Sequence, residues 1–452
     1  VNGDTAYFGM LFTGNVFNQL PQGHLAAGDG ATIKVPANPG ERLVINYYYT
    51  ADFSIDGNAP ITTNSQTTST IETTTYDYPG VGPGFVTLAV GSSVSTTYLT
   101  DVRTYTPVAL TETLTVGTDK DYQTINGALD AIRNMDRPNA ERVTVLIDPG
   151  NYEEMLVIDE DNITLKNAAL SPSIGLLNAG VDIEPEAVRI TSYYGHGYSY
   201  YSMGNDQKWD ADVLQVNTEN GSLSYNNTGA GTTNGSYWNA TVVVYADNFW
   251  AEDIIFENSF NQYISQKEAD DLVVEWAVGG VGERPTDYGN TDVQFRSFRE
   301  RAAAIAFAND ADKGILFKCR VIGRQDSFFG GANSRVVMYK GVAMGGVDYI
   351  FGDMVAVFYR TELSMNTDSE NSIDRTYITA AKQNSGRGYL MYECRVTSAL
   401  PGTESASNYR SKPGYFGRPW QANTSEVVFY KTTVETSDYP GDEGNSLIEP
   451  IG

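Results

Sequence analysis

Two aspartates carry the clearest chemical signal in this sequence. Asp326 lies in Gly323-Arg324-Gln325-Asp326-Ser327-Phe328-Phe329, and Asp348 lies 22 residues further on in Gly345-Gly346-Val347-Asp348-Tyr349-Ile350-Phe351-Gly352. If the chain winds with a period near that spacing, the two carboxylates stack on adjacent turns about 5 Å apart, each among glycine and aromatic residues. Two carboxylates that close in a partly apolar site do not both ionise easily. One is then driven towards its protonated form, and the pair divides into an acid and a base or nucleophile. Taken alone, the spacing also fits a ladder of aspartates that cap turns.

Other catalytic chemistries find few residues to use. The chain has two histidines, His24 and His196, so any Ser-His-Asp, Cys-His or multi-histidine metal mechanism must recruit one of them, and neither lies in a motif. No G-x-S-x-G elbow, H-E-x-x-H, phosphate loop or dinucleotide glycine fingerprint stands near a fitting strand and helix. The 30 basic and 56 acidic residues give a net charge of -26 spread along the chain, which argues against nucleic acid or anionic lipid as partner. No apolar run approaches the ~18 residues of a membrane-spanning helix. A start at Val1 without a leader, with 30 tyrosines and 44 glycines, predicts a processed protein, secreted or held at the cell surface.

The elements that must hold these residues read almost wholly as strands, so the expected class is all-β. Tyr122, Ile125, Leu129 and Ile132 mark one short amphipathic helix over 122–134. Beyond it, an aromatic residue or Met followed four residues later by an apolar one recurs at Phe256/Phe260, Phe317/Val321, Met338/Val342, Tyr359/Leu363, Tyr392/Val396 and Tyr430/Val434, with steps of 21 and 21 in the middle three. A period near twenty without intervening helices predicts a parallel β-helix, its open N-terminal end capped by the helix. Cys319 and Cys394 each follow an anchor by two residues, about three rungs and roughly 14 Å apart, beyond the ~7 Å Cα separation a disulfide tolerates. They are expected as buried free thiols. Residues 1–112 break into short Val/Ile/Tyr/Thr runs and predict a β-sandwich accessory module, either structural or sugar-binding through Tyr47, Tyr48 and Tyr49. Residues 113–452 then form the β-helix domain.

Four segments in this order resemble the pectinesterases, the pectin methylesterases of the right-handed parallel β-helix class. They are Gly150-Asn151-Tyr152-Glu153-Glu154, Gln325-Asp326-Ser327-Phe328-Phe329, Gly345 to Gly352, and Gly417-Arg418-Pro419-Trp420. The likeness spans 119–452 and leaves out 1–112. It implies a carboxylic ester hydrolase that needs no metal and no cofactor, acts as a monomer and has methyl-esterified pectin (homogalacturonan) as partner. By the same resemblance Asp348 is the nucleophile on the C6 methyl ester. Asp326 is the acid that protonates methanol and then activates water, and Gln325 donates to the oxyanion. Arg418 holds Asp348 ionised and aimed. Trp420, Phe351 and Phe329 match aromatic positions that line the sugar cleft.

Two departures from the family pattern stand out. Arg301, in Arg301-Ala302-Ala303-Ala304-Ile305, sits 24 residues before Gln325 where the family has a glutamine. It is read as a charged oxyanion donor, as the partner of a site carboxylate that retunes substrate choice, or as a mark of reduced activity. The stretch Ile448 to Gly452 matches a family segment that normally runs on, so a truncated C-terminus is expected. Insertions over about 195–238 and 261–298 are expected to shape the cleft walls, with Tyr193, Tyr194, His196, Tyr198, Tyr200 and Tyr201 forming either a sugar-facing wall or a self-packed loop. A chain this acidic repels a de-esterified product more than a neutral substrate unless Arg301, Arg324 and Arg418 make the cleft locally positive. Two rival functions remain: a polygalacturonan glycosidase using the same carboxylates, and a glycan-binding solenoid without catalysis.

Overall fold

The computed structural model describes residues 5–7, 9–19, 24–64, 71–137, 140–195, 240–270, 285–295, 301–367, 375–384, 386–421 and 423–450. It divides into two compact units, Val1–Leu110 with Asn134–Asp136, and Thr111–Arg133 with Arg137–Gly452. The first is a β-sandwich of one six-stranded and one five-stranded antiparallel sheet. Alternation along the strands turns Ile33, Val35, Leu43, Ile45, Phe53, Val86 and Leu88 into a shared core, the arrangement expected of two sheets packed face to face. Tyr47 belongs to that core, whereas Tyr48 bonds His24 Nδ1 through its hydroxyl at 2.6 Å and Tyr49 is partly exposed. His24 is thereby a packing residue of the sandwich. His196 lies outside the described residues.

The second unit is a parallel β-helix of three sheets with nine, eight and seven strands, each complete coil supplying one strand to each sheet. It winds right-handed, as parallel crossovers do. The register fixes the repeat differently from the sequence expectation. Phe317 pairs with Tyr339, which pairs with Tyr359, so the steps are 22 and 20, and Met338 is one residue out of line. A slip of one residue exchanges the two faces of a strand. Leu316, Met338, Phe358 and Met391 form the inward stack. Phe317, Tyr339, Tyr359, Tyr392 and Tyr430 instead stack on the outer face, with successive ring centroids 5.5, 5.1, 5.1 and 5.7 Å apart. Phe256 is not part of this series. It lies in the eight-stranded sheet and pairs with Val321.

After each outer ring the chain turns through one left-handed residue: Lys318, Lys340, Arg360, Glu393 and Lys431 all have positive φ. Cys319 and Cys394 come next in register, both buried and unpaired by disulfide.

Helix α1 (Ile125–Arg133) buries Ile125, Ala128, Leu129, Ala131 and Ile132, and packs on the first strands of the β-helix. Its open amides are capped from a distance, because the Glu154 carboxylate accepts from the Ile125 and Asn126 N–H groups at 2.9 and 3.0 Å. Glu153 does the same for a second short helix, α2 (Gln266–Asp270), accepting from Gln266 and Lys267 at 3.2 and 2.9 Å. That helix corrects the expectation of strands alone after 134. It is held by a carboxylate far away in sequence, so no local periodicity announces it. Among the described residues no helix is long and apolar enough to cross a membrane.

Candidate active site

The site forms where the chain passes from the eight-stranded sheet to the seven-stranded one on two successive coils. Gln325 is bridged in register to Arg301 on the coil before and to Val347 on the coil after. The next residue on each coil is therefore Asp326 or Asp348, one strand spacing of about 4.8 Å apart along the helix axis. The Asp326 N–H donates to Val347 O at 3.1 Å, which locks the two turns together. Both aspartates adopt left-handed backbone, φ 60° at Asp326 and 51° at Asp348. Aspartate tolerates that region better than most residues, and its use at both carboxylates turns their side chains out of the strand alternation. At Asp348 the strand Val347–Gly352 also slips register against Tyr377–Ala381, between Val347 and Ile350. A bulge of this kind re-aims one side chain without ending the strand.

Glycine makes the approach of these coils possible. A Cβ on Gly352, whose φ is 112°, would stand 2.1 Å from Gly330 O on the preceding coil. One on Gly345 would meet the Tyr349 Cβ at 2.3 Å.

Both carboxylates are buried, with Asp326 0% and Asp348 1% exposed. Arg418 reaches Asp348 from 70 residues away through a two-pronged contact, Nε to Oδ1 at 2.7 Å and Nη2 to Oδ2 at 2.6 Å. Such forked charge-assisted bonds fix orientation as well as charge. The bond to Asp348, with a smaller contribution from nearby Asp326, holds the guanidinium above the ordinary arginine value. Its other face lies 4.6 Å over the Tyr377 ring, which itself stacks on Tyr415. The turn that carries Arg418 is clamped to the previous coil by Arg418 N–H to Thr379 O and Trp420 N–H to Ala381 O, both 2.9 Å.

Beside the carboxylates run three rings. Phe329 and Phe351 lie 4.9 Å apart, and Phe351 and Trp420 6.2 Å apart. Phe351 is buried and backs the row, Phe329 is half-buried, and Trp420 is 46% exposed. Tyr193 and Tyr194 are fully buried against Phe260, Ala302, Ala303 and Ala306, so these two are self-packed. His196, Tyr198, Tyr200 and Tyr201 lie outside the described residues.

Of the residues singled out in the sequence, Gln325, Asp326, Asp348, Arg418, Arg301 and the three aromatic residues thus fall in one continuous region. Tyr377 was missed, and the signal for it is register, since it follows Val347 on the next coil. Arg324 was read as a charge for the cleft. Its guanidinium instead turns to backbone carbonyls of Asn261, Gln294 and Asn366.

Residues 284–441 match the Pectinesterase family model. A relative from Arabidopsis thaliana, named probable pectinesterase/pectinesterase inhibitor 36, is 23% identical over 335 residues, 73% of this chain and 45% of its own length. A second from the same plant, numbered 64 in the same series, is 29% identical over 161 residues, 33% of this chain and 24% of its own. The chain spans less than half the length of the curated relatives it matches. Among solved structures, a pectin methylesterase from Erwinia chrysanthemi is 17% identical with TM-score 0.46, covering 72% of this chain and 78% of that one. The carrot pectin methylesterase is 18% identical with TM-score 0.44, covering 75% of each. The stretch that matches the Pectinesterase family model contains Arg301, Gln325, Asp326, Asp348, Arg418 and Trp420.

Proposed function

We propose that the β-helix is a pectin methylesterase that hydrolyses C6 methyl esters of homogalacturonan, releasing methanol and leaving a carboxylate on the polymer. The observation that supports this most is the pair of buried carboxylates on adjacent coils, of which Asp348 is gripped through both oxygens by Arg418. As the carboxylate of an ion pair, Asp348 attacks the ester carbonyl. Gln325 donates to the resulting oxyanion, with Arg301 beside it on the preceding coil. Asp326, protonated, gives its proton to the departing methoxide, leaving an Asp348–galacturonyl anhydride. It then takes a proton from water as that water attacks the anhydride, which restores Asp348 and the starting protonation of Asp326.

Trp420 and Phe329 supply the exposed part of a ring floor against which pyranose C–H faces pack. Arg418 is charge-paired with Asp348 and the Arg324 guanidinium is aimed at loop carbonyls, while the chain as a whole carries a net charge of -26, which repels a de-esterified product more than a neutral substrate. That favours nearly neutral, highly esterified pectin as substrate, bound by a monomer acting outside the cell. The test is methanol release from highly methylated pectin by the native chain and by Asp348→Ala, with reducing ends measured in the same samples. Methanol without new reducing ends, lost in the variant, is the expected result. New reducing ends would establish the glycosidase instead, and sugar binding without either product would establish the non-catalytic solenoid.

A further inference from the structure

Arg324 precedes Gln325 and Asp326, and its guanidinium points away from them. Nη2 donates to Gln294 O at 2.8 Å, Nε to Asn261 O at 3.3 Å, and Nη1 to Asn366 O. These carbonyls belong to three separate segments: the ends of the 3-10 turns Ser259–Asn261 and Asp292–Gln294, and the turn after strand Glu362–Met365. The segments are tied to one another by buried amides. Gln294 Nε2 donates to Gln262 O at 2.6 Å, Asn366 Nδ2 to Gln262 Oε1 at 3.0 Å, and Gln294 Oε1 accepts from Ala406 N–H at 2.8 Å. Asn261, Gln262, Gln294 and Asn366 are all at least 98% buried. A bonded polar network in a dry site is stiff, because each broken bond strands a buried group.

The backbone of the same residue faces the other way. Arg324 O accepts the N–H groups of Gly346 and Val347, both at 2.8 Å, and these two residues lead directly into Asp348. Phe260, within the tied segments, packs in the same cluster as Phe329 of the ring floor. One residue thus joins the turn of Asp326, the turn of Asp348 and the wall beside them.

We propose that Arg324 is a positioning residue that sets the separation and aim of the two carboxylates by anchoring their turns to the buried amide network. The proposal rests on the esterase reading above. Only a planar fork reaches three diverging carbonyls from one point, so lysine, a compact point charge, is a poor replacement. Arg324→Met strands the carbonyls and frees both turns. Displacement of a reacting group by about 1 Å costs on the order of 100-fold in rate.

The experiment compares the full chain with Arg324→Met and Arg324→Lys, following initial methanol release against pectin concentration and pH, alongside thermal unfolding. For folded variants the expected result is kcat lowered roughly 10- to 100-fold with KM changed less than about threefold, a displaced limb in the pH–rate profile, and only partial recovery with lysine. The proposal is overturned by wild-type kcat per folded molecule in either variant, by full recovery with lysine, or by a loss that only tracks the unfolded fraction with an unchanged pH profile. Should Arg324→Met not fold, Arg324→Lys carries the same comparison. A native chain that releases no methanol overturns the esterase reading itself, whereas an active native chain with unaffected variants overturns this proposal alone.

Discussion

Replacing Arg418 by methionine separates the aiming of Asp348 from its chemistry. Two bonds of 2.7 and 2.6 Å fix both carboxylate oxygens, so the side chain has one rotation about its terminal bond while the fork is in place. The carboxylate end is 1% exposed but the Arg418 side chain is 48% exposed. Exposed pairs contribute about 0–1 kcal/mol, and breaking a fully buried one costs about 3–5 kcal/mol. A pair with one end in each environment, discounted for solvent at the guanidinium, falls near 2 kcal/mol. If that is lost from the transition state, kcat drops roughly 30-fold. Arg418→Lys keeps the charge but not the fork and should lose about half of it, roughly a fivefold drop. The assay is methanol release from highly methylated pectin at saturating substrate, with circular dichroism and thermal unfolding on the same preparations. An Arg418→Met enzyme within twofold of the native rate, or one slowed only in proportion to its unfolded fraction, would refute the reasoning.

Two other perturbations test the coils around the site. Gly352→Ala places a Cβ 2.1 Å from Gly330 O at a φ of 112°; the strain and the required shift of a neighbouring strand should cost on the order of 3 kcal/mol or more, read as a fall of the unfolding midpoint by several degrees. An unchanged midpoint would mean the coils are less tightly apposed than described. Burial pushes the Cys394 thiol up from 9.0 to about 11, and pushes Cys319 higher still. Folded-state values above the unfolded ones mean that both thiols contribute full stability below pH 9 and that Cys394 loses its contribution as pH rises from about 9 to 11. At pH 8 neither should react with a thiol reagent until the chain unfolds, when two equivalents should appear; rapid labelling of the folded protein would contradict the burial.

Much of this molecule is legible along the chain because a β-helix writes its period into the sequence. The recurrence of apolar and aromatic residues every twenty or so positions identifies stacked coils, and a 22-residue separation then places Asp326 beside Asp348 without further information. The same arithmetic puts Arg301 one coil below Gln325, where the register bridge is found. Counting along the chain fails at the scale of a single residue. Met338 and Tyr339 are both apolar enough to serve as an anchor, and only strand pairing decides that the first points inward and the second joins the outer stack. Helix α2 fails for another reason, since Glu153 organises its first amides from across the fold.

Composition and spacing by themselves placed two carboxylates on neighbouring coils of a solenoid, in a chain with only two histidines. Tertiary structure decided that Asp348 is clamped, because Arg418 meets it only when coils 70 residues apart in sequence come to lie two rungs apart in the stack. It also decided that the Arg324 guanidinium turns to the loop carbonyls. A charge has no direction in a sequence, and the direction of a side chain is set by the backbone angles and neighbours that folding supplies.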